Sequence, residues 1–309
     1  AVQAAMLAIQ AKRPVQLMWS RGEEMRRGRH GPPAKARLTG RPGPQGQIAA
    51  WRARIAAPAT AEKLVERLVP GHGPSDAGIA AVDGAMPPYA IPAIAIEHAP
   101  ADIAIGTGLW RSAAHAYTAF FTESFVDELA IVAGLDGLAF RISLLAQAPR
   151  LARCLAQAAA SGGWSGEPQS GEGLAVHSAF GSHIALYVEA SNEGKALKVE
   201  RMIAVVDAGR LINPDIVRRQ IESGLIWGLA SALGNHVSYS RGLADQTSFD
   251  ALGLPRLRNV PEIRVELVGS HEAPGGVAEL GVPVAAPAIA NAIFSATGKR
   301  LRSLPLAIA

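Results

Sequence analysis

Apolar residues recur at helical spacing in several stretches of this chain. The clearest helix is predicted over residues 115–133, where Phe120, Phe121, Phe125 and Leu129 share a face and acidic residues lie between them. The same pattern predicts helices over residues 1–9, 138–146, 151–160 and 214–233, a short helix from residue 20, and an apolar helix after residue 283.

Shorter stretches of alternating or β-branched residues predict strands. They cover residues 14–19, 34–39, 47–56, 174–190, 196–206 and 262–268. Residues 69–101 are rich in proline and glycine without clear periodicity, which predicts a long, partly ordered connection. Because strands and helices do not alternate as βαβ units, the pattern favours an α+β fold. The Gly/Ser/Pro-rich run at residues 161–173 divides the chain into predicted domains of residues 1–162 and 163–309.

The amino-acid composition limits the classes of protein to which this chain can belong. The chain has 309 residues, 49% hydrophobic and 18% charged, which is enough for two domains with sizeable cores. No apolar run is long enough for a transmembrane segment. The net charge is +4, and the basic residues of 13–41 favour a solvated face over a nucleic-acid patch. The single cysteine, Cys154, is expected to be a small buried residue, since alone it cannot hold an iron–sulfur cluster.

The most informative motif is the loop at residues 275–283, in which Glu279 is the only charged residue among Gly, Ala, Val, Leu and Pro. Apolar surroundings favour the neutral form of a carboxylate, which suits a proton acceptor working near neutral pH. The flanking glycines let backbone N–H groups approach a bound anion or cofactor. A purely structural interpretation also stands: a carboxylate before a helix is stabilised by the helix dipole.

A second motif, Thr-Gly-Leu-Trp-Arg-Ser at residues 107–112, precedes the predicted helix at residues 115–133. Trp110 offers a flat apolar wall and Arg111 a permanent cation close to free helix N–H groups. Alternatively, Trp110 is a core aromatic residue and Arg111 pairs with a carboxylate. We interpret His115 as a helix N-terminal residue and expect structural ion pairs for the acidic residues of the helix, Glu123, Asp127 and Glu128.

A third motif, at residues 205–229, combines a strand, an Asp-Ala-Gly turn and a helix start. Asn213 fits an N-cap and Pro214 the first helical position. Gln220 is either a ligand-binding amide or a solvent-facing helix residue. Gly224 and Gly228 are expected to permit close packing of this helix.

These three motifs resemble the C-terminal part of the molybdenum-binding large subunit of the xanthine dehydrogenase/aldehyde oxidase family, particularly its isoquinoline 1-oxidoreductase β-subunit branch. The resemblance implies two mixed α/β molybdopterin-binding domains, the first incomplete at its N-terminus. It implies that Glu279 is the catalytic base and that Trp110 and Arg111 border the substrate. The cofactor-binding residues it implies are Gly108, Ser112, Gln220, Gly276 and Ala278, the last standing where the family usually has glycine. No protein side chain is expected to ligate the metal, because the pterin supplies its sulfurs.

The reaction implied by the resemblance is oxidative hydroxylation of an aromatic N-heterocycle or an aldehyde, with water as the oxygen source. The cofactor would be molybdenum–molybdopterin, in its cytosine dinucleotide form. With one cysteine, this chain would pass electrons to a small iron–sulfur partner subunit, and a cytochrome c is a candidate final acceptor. The loop at residues 107–112 lacks the cysteine of the carbon monoxide dehydrogenase branch, which argues against that activity.

Ala1 lies inside a predicted helix without an initiator methionine or signal peptide, so we expect the sequence to be part of a longer protein. The branch it resembles favours a periplasmic location, with a cytoplasmic one open. Two other functions are left open by the sequence. One is a non-catalytic structural or assembly fragment that binds no cofactor. The other, a basic nucleic-acid-binding module, has no supporting motif.

Overall fold

The computed structural model describes residues 2–69, 76–193 and 196–307. The helices are α1 (Val2–Ala11), α2 (Arg21–Arg27), α3 (Thr60–Leu68), α4 (His115–Val132), α5 (Gly137–Leu144), α6 (Pro149–Gly162), α7 (Pro214–Leu233) and α8 (Gly281–Thr297). The strands are β1 (Lys35–Pro42), β2 (Ile48–Ala57), β3 (Ile94–Pro100), β4 (Glu172–Ala179), β5 (Ser182–Glu193), β6 (Ala196–Asp207), β7 (Tyr239–Ser240), β8 (Leu243–Ala244) and β9 (Glu262–Leu267). Short 3-10 helices occupy Asp76–Val82, Asp250–Leu252 and Leu257–Asn259.

The first sheet has the order β1-β2-β3, with β1 antiparallel and β3 parallel to β2. Helix α4 packs on it through apolar residues of its predicted face. The rings of Trp51 and Phe125 lie 5.2 Å apart between centroids. A Cβ at Gly40 would lie 2.9 Å from a methyl carbon of Leu129, so glycine allows this close approach.

The second sheet has the order β4-β5-β6-β9, with β4, β5 and β6 antiparallel and β9 parallel to β6. Both of its faces are buried. Ile203 and Val205 of β6 belong to the core that contains α6, whereas Met202, Ala204 and Val206 belong to the core that contains α7 and α8. Two sheets with mixed pairing and packed helices confirm the α+β prediction.

Helices α7 and α8 cross at glycines. A Cβ at Gly224 would lie 3.0 Å from the Cα of Gly281, and one at Gly228 would lie 2.5 Å from the Cβ of Ala285. The predicted role of Gly224 and Gly228 in close helix packing is therefore confirmed. The crossing fixes where α8 begins and so fixes the loop before it.

The acidic residues of α4 form the structural ion pairs that the sequence predicts. Glu123 and Arg141 pair at 3.0 Å with side chains only 2% and 0% exposed. Asp127 bridges Arg141 and Arg300, and Glu128 pairs with Arg302. Cys154 is fully buried, as expected. No helix among the described residues is long and apolar enough to cross a membrane.

Three predictions of local structure were wrong. Residues 14–19 are not a strand, because no strand among the described residues pairs with them, and the side chains of Met18 and Trp19 are exposed. Of the predicted connection at residues 69–101, residues 70–75 lie outside the described residues, and the described part contains a strand, β3, which is stabilised by pairing with β2. Residues 174–190 form two strands rather than one, since Phe180 and Gly181 both have positive φ and turn the chain back.

Candidate active site

Three segments converge at the candidate site: residues 107–113 before α4, one face of α7, and residues 275–280 before α8. Arg111 of the first segment contacts Ser223 of α7 and Ala278 of the third segment, which lie 112 and 167 residues later in the sequence. The structure thus brings the three predicted motifs together.

Each of the three nitrogens of the Arg111 guanidinium donates to an oxygen of the protein. Its Nε donates to the carbonyl oxygen of Ala278 at 2.8 Å, and one terminal nitrogen donates to Ser223 Oγ at 2.9 Å. The other terminal nitrogen donates to the backbone oxygen and to Oε1 of Gln220, at 3.2 and 3.3 Å, and also contacts the Ala278 carbonyl. Arg111 therefore ties the loop before α8 to α7, which a planar fork of donors can do and a single ammonium cannot.

Ser112 holds Glu279 at two points. Its backbone N–H donates to Glu279 Oε2 at 3.1 Å, and its hydroxyl donates to the Glu279 carbonyl oxygen at 3.0 Å. Ser112 and Ala113 both have positive φ, of 77° and 44°. Such conformations cost about 1–3 kcal/mol for residues other than glycine and concentrate at functional sites. The strained turn directs an amide donor at the carboxylate.

The surroundings of Glu279 are more polar than its own loop suggests. The side chain is half-buried, and its negative charge acts on Arg111 and His115. Burial lowers the pKa of Arg111, and the Glu279 charge opposes that shift. The apolar composition of residues 275–283 does not predict these polar surroundings, because the N–H donor and the guanidinium come from Ser112 and Arg111.

The turn after β6 supports the start of the Glu279 loop. The carboxylate of Asp207 accepts the N–H of Gly209 at 3.1 Å, and Gly275 donates to the Ala208 carbonyl at 2.9 Å. Gly209 has φ +70°, and a Cβ there would collide with the backbone of Ala273. The Asp-Ala-Gly turn of the third motif thus has a structural role beside the site.

Two residues of the site, Ser223 and Trp227, were not predicted from the sequence. The ring of Trp227 lies 5.6 Å from that of Trp110, and Ser223 accepts from Arg111. Gln220, Ser223 and Trp227 are spaced three and four residues apart, so they lie on one face of α7. That spacing is the sequence signal that could have placed Ser223 and Trp227 beside Gln220. Trp110 and the 45%-exposed Trp227 together form an apolar wall.

Three of the predicted cofactor-binding residues, Gly108, Gly276 and Ala278, differ in their exposure. Gly108 packs against the segment that follows α2: a Cβ at Gly108 would lie 3.0 Å from Arg29 Cβ, and the Gly108 N–H donates to the His30 carbonyl at 2.8 Å. Gly276 and Ala278 are exposed. Ala278 does not have a positive φ, so the methyl group that replaces the usual glycine hydrogen creates no backbone strain.

Comparison with known proteins gives the family. Two models described as molybdopterin cofactor-binding domains match residues 1–144 and 139–261. The isoquinoline 1-oxidoreductase subunit beta of Brevundimonas diminuta is 30% identical over 99% of this chain. The chain belongs to the xanthine dehydrogenase/aldehyde oxidase family of molybdenum-binding large subunits. It spans 40% of the length of that relative.

Two further known proteins are similar to this chain. A membrane-bound aldehyde dehydrogenase of Gluconacetobacter polyoxogenes, whose name includes pyrroloquinoline-quinone, is 28% identical over 80% of this chain and 35% of its own length. The solved structure of the Cu,Mo-CO dehydrogenase superposes with a TM-score of 0.78 over 96% of this chain and 63% of its own, at 14% identity. That likeness concerns the fold.

The site has donors that suit a molybdopterin cofactor. In the part of the chain that the structure describes, no hydrogen bond uses the amide N–H of Val277, Ala278 or Glu279. Nor does any use the side-chain Nε2 of Gln220. Successive unpaired amides are good donors to an anion such as a phosphate, and a carboxamide suits the polar edge of a pterin. The described residues hold no cluster of three or more His, Cys, Asp or Glu arranged for a metal ion.

Proposed function

We propose that this chain forms part of the catalytic unit of a molybdenum hydroxylase that oxidises an aromatic N-heterocycle or an aldehyde with oxygen from water. The observation that carries the proposal is the clamp on Glu279: Ser112 holds its carboxylate, and Arg111 fastens Ala278 next to it. The family assignment supports the reaction class, and the names of two relatives, an isoquinoline oxidoreductase and an aldehyde dehydrogenase, support the substrate classes.

In this proposal Glu279 is the general base. A carboxylate that accepts a backbone N–H at 3.1 Å has a fixed orientation, with its second oxygen available to take a proton from the nucleophile. A bound molybdenum–molybdopterin group would supply the redox chemistry and the activation of the oxygen nucleophile. The backbone amides of residues 277–279 and the side-chain amide of Gln220 are the donors we assign to holding that group, with Gly276, Gly108 and Ser112 kept as predictions.

The roles of Arg111 and Trp110 differ from each other. Because every nitrogen of the Arg111 guanidinium already donates to protein oxygens, we assign Arg111 to positioning Glu279 and Gln220 rather than to direct substrate binding. Trp110 and Trp227 form the apolar wall suited to a flat aromatic or aldehyde substrate.

The remaining parts of the proposal concern electron transfer and assembly. The single cysteine, Cys154, is buried, so we propose that iron–sulfur clusters lie in a small partner subunit, with a cytochrome c as a candidate acceptor. We further propose the cytosine dinucleotide form of the cofactor, and a division of the chain near residue 162 into two molybdopterin-binding domains.

The test uses the intact natural protein, with its partner subunits, and a Glu279→Gln variant. Molybdenum content is measured by elemental analysis, and turnover by dye reduction with a panel of N-heterocycles and aldehydes. Glu272→Gln is the matched control, since Glu272 is an exposed carboxylate of the preceding loop. We expect near-stoichiometric molybdenum in all three proteins and loss of turnover, by about 100-fold or more, in Glu279→Gln alone.

Two other results would contradict part or all of this proposal. A folded complex without molybdenum would favour a structural or assembly role. Molybdenum together with full activity in Glu279→Gln would keep the family and remove the assignment of the base.

A further inference from the structure

The turn between β4 and β5 lies against the start of the Glu279 loop. Phe180 and Gly181 form this turn between the paired residues Ala179 and Ser182, and their φ angles are 57° and 76°. Positive φ at both central residues is the backbone of a tight hairpin turn, which favours Asn-Gly or Gly-Gly. A bulky aromatic residue at the first of these positions is unusual and strained. Strain of this kind persists where the surrounding structure imposes it, often beside a functional site.

The backbone of Phe180 holds the start of the loop. Its carbonyl oxygen accepts the N–H of Gly276 at 2.7 Å, and the preceding N–H, of Gly275, donates to the Ala208 carbonyl at 2.9 Å. The next three amides of the loop make no hydrogen bond within the described part of the chain. The two glycine N–H groups therefore fasten the loop to the protein, and the amides that follow are left for a ligand.

Glycine fits at both positions because the hairpin turn lies so close. A Cβ at Gly276 would lie 2.9 Å from Phe180 Cβ, and its three nearest atoms would all belong to Phe180. A Cβ at Gly275 would collide with Ser182 Oγ and with the backbone of Gly181. Neither Gly275 nor Gly276 has a positive φ, so this close approach, and not the backbone angle, is the reason for glycine here.

The side chain of Phe180 contacts the other segment that holds Glu279. Its ring lies 5.0 Å from the ring of His115, the first residue of α4. The N–H of His115 donates to the Ser112 carbonyl at 3.0 Å, and Ser112 in turn donates to the carboxylate and to the carbonyl of Glu279. Phe180 thus contacts the start of α4 through its ring and the Glu279 loop through its carbonyl.

We propose that Phe180 is a positioning residue for the candidate base. The hairpin tip, residues 180–182, fixes the loop at its two glycines, and residues 111–112 fix it at Ala278 and Glu279. A loop held at both places keeps its unused amides and the Glu279 carboxylate in a constant geometry, which catalysis requires. The proposal rests on the proposed function of Glu279, and Phe180 acts through Gly276 rather than on the substrate itself.

The test is a double-mutant cycle in the intact natural protein with its partner subunits, using Gly276→Ala, Phe180→Gly and the double variant. The methyl group of Gly276→Ala meets Phe180 Cβ and pushes the loop away from the hairpin tip. We expect kcat to fall about 10-fold with KM and molybdenum content little changed. Amide hydrogen exchange at positions 275 and 276, which are hydrogen-bonded in the parent, should become faster.

The cycle depends on the second background. Phe180→Gly removes the Cβ that the new methyl group meets and suits a positive φ. In that background Gly276→Ala should therefore alter kcat by less than about twofold and leave the exchange of position 276 unchanged. Gly269→Ala is the matched control, because a Cβ there meets no atom within 4 Å, and it should behave as the parent does.

The outcomes separate this proposal from the proposed function. If Gly276 matters because a bound cofactor approaches it, Gly276→Ala would cost the same in both backgrounds, which would overturn the role of Phe180 and keep the proposed function. Unchanged exchange in Gly276→Ala would overturn that role as well. An active Glu279→Gln would overturn the proposed function, and the positioning of a base with it, even where the exchange cycle shows that the hairpin tip holds the loop.

Discussion

Replacing Glu123 by Gln should destabilise the fold far more than any other single carboxylate-to-amide change in α4. The Glu123 carboxylate accepts from Tyr89 Oη at 2.7 Å, Arg141 Nε at 3.0 Å and the Val176 N–H at 3.1 Å. It joins the elements around the first sheet to β4 of the second. Glutamine has the same shape but offers one acceptor oxygen and two unwanted donors.

The magnitude follows from burial. Because the side chains of Glu123 and Arg141 are 2% and 0% exposed, removing one charge leaves the other unpaired in a low-dielectric interior. Breaking such a pair costs about 3–5 kcal/mol. Asp127 stays 3.4 Å from Arg141 and compensates part of the loss, so we expect a value near the lower limit, about 3 kcal/mol. That corresponds to a decrease of roughly 6–12 °C in Tm for a unit of 150–250 residues.

The assay is thermal unfolding of the intact protein followed by differential scanning fluorimetry, with Glu128→Gln as the matched control. Glu128 is on the same helix and pairs with Arg302 at 2.8 Å, but the Arg302 side chain is 66% exposed. An exposed pair contributes about 0–1 kcal/mol, so the control should unfold within a few degrees of the parent. Equal, small shifts in the two variants would refute the argument that burial makes the Glu123–Arg141 pair essential.

Three further outcomes are expected. Gly228→Ala should lower the free energy of unfolding, measured in urea, by about 1–2 kcal/mol, because overpacking against Ala285 outweighs the gain in helix propensity. The control Gly269→Ala has open space around the new Cβ and should be neutral. A Gly228→Ala variant more stable than the parent would contradict the close helix crossing. Burial would raise the pKa of Asp207, but hydrogen bonds from Arg150 and a backbone amide outweigh burial and lower it to about 2. The stability that Asp207 contributes is therefore lost as the pH falls from about 3.8 towards 2, and Asp207→Asn should flatten the stability–pH curve there. Arg111→Lys should speed amide hydrogen exchange over residues 276–280 and lower kcat at least about 10-fold with molybdenum retained. The reason is that the ammonium group of lysine cannot make all the hydrogen bonds of the planar guanidinium. Unchanged exchange would refute the positioning role of Arg111.

Local sequence determined much of the secondary structure. The start of α7 follows from Asn213 as a side-chain N-cap and Pro214 at the first helical position, both of which act within a few residues. The glycines at α7 were also interpretable, because two glycines four residues apart place a bare stripe on one helix face. The motifs that contain Glu279 and Arg111 were recognisable for the same reason: each is a short continuous segment.

Only the tertiary structure decided how those segments act on one another. The strand β3 forms because β2 supplies its hydrogen bonds, and residues 14–19 do not form a strand because no described segment pairs with them. The role of Arg111 depended on oxygens of Gln220, Ser223 and Ala278 that lie more than a hundred residues away. A contact between distant segments leaves no local pattern, since its energy comes from groups that only the packed fold brings within hydrogen-bonding distance.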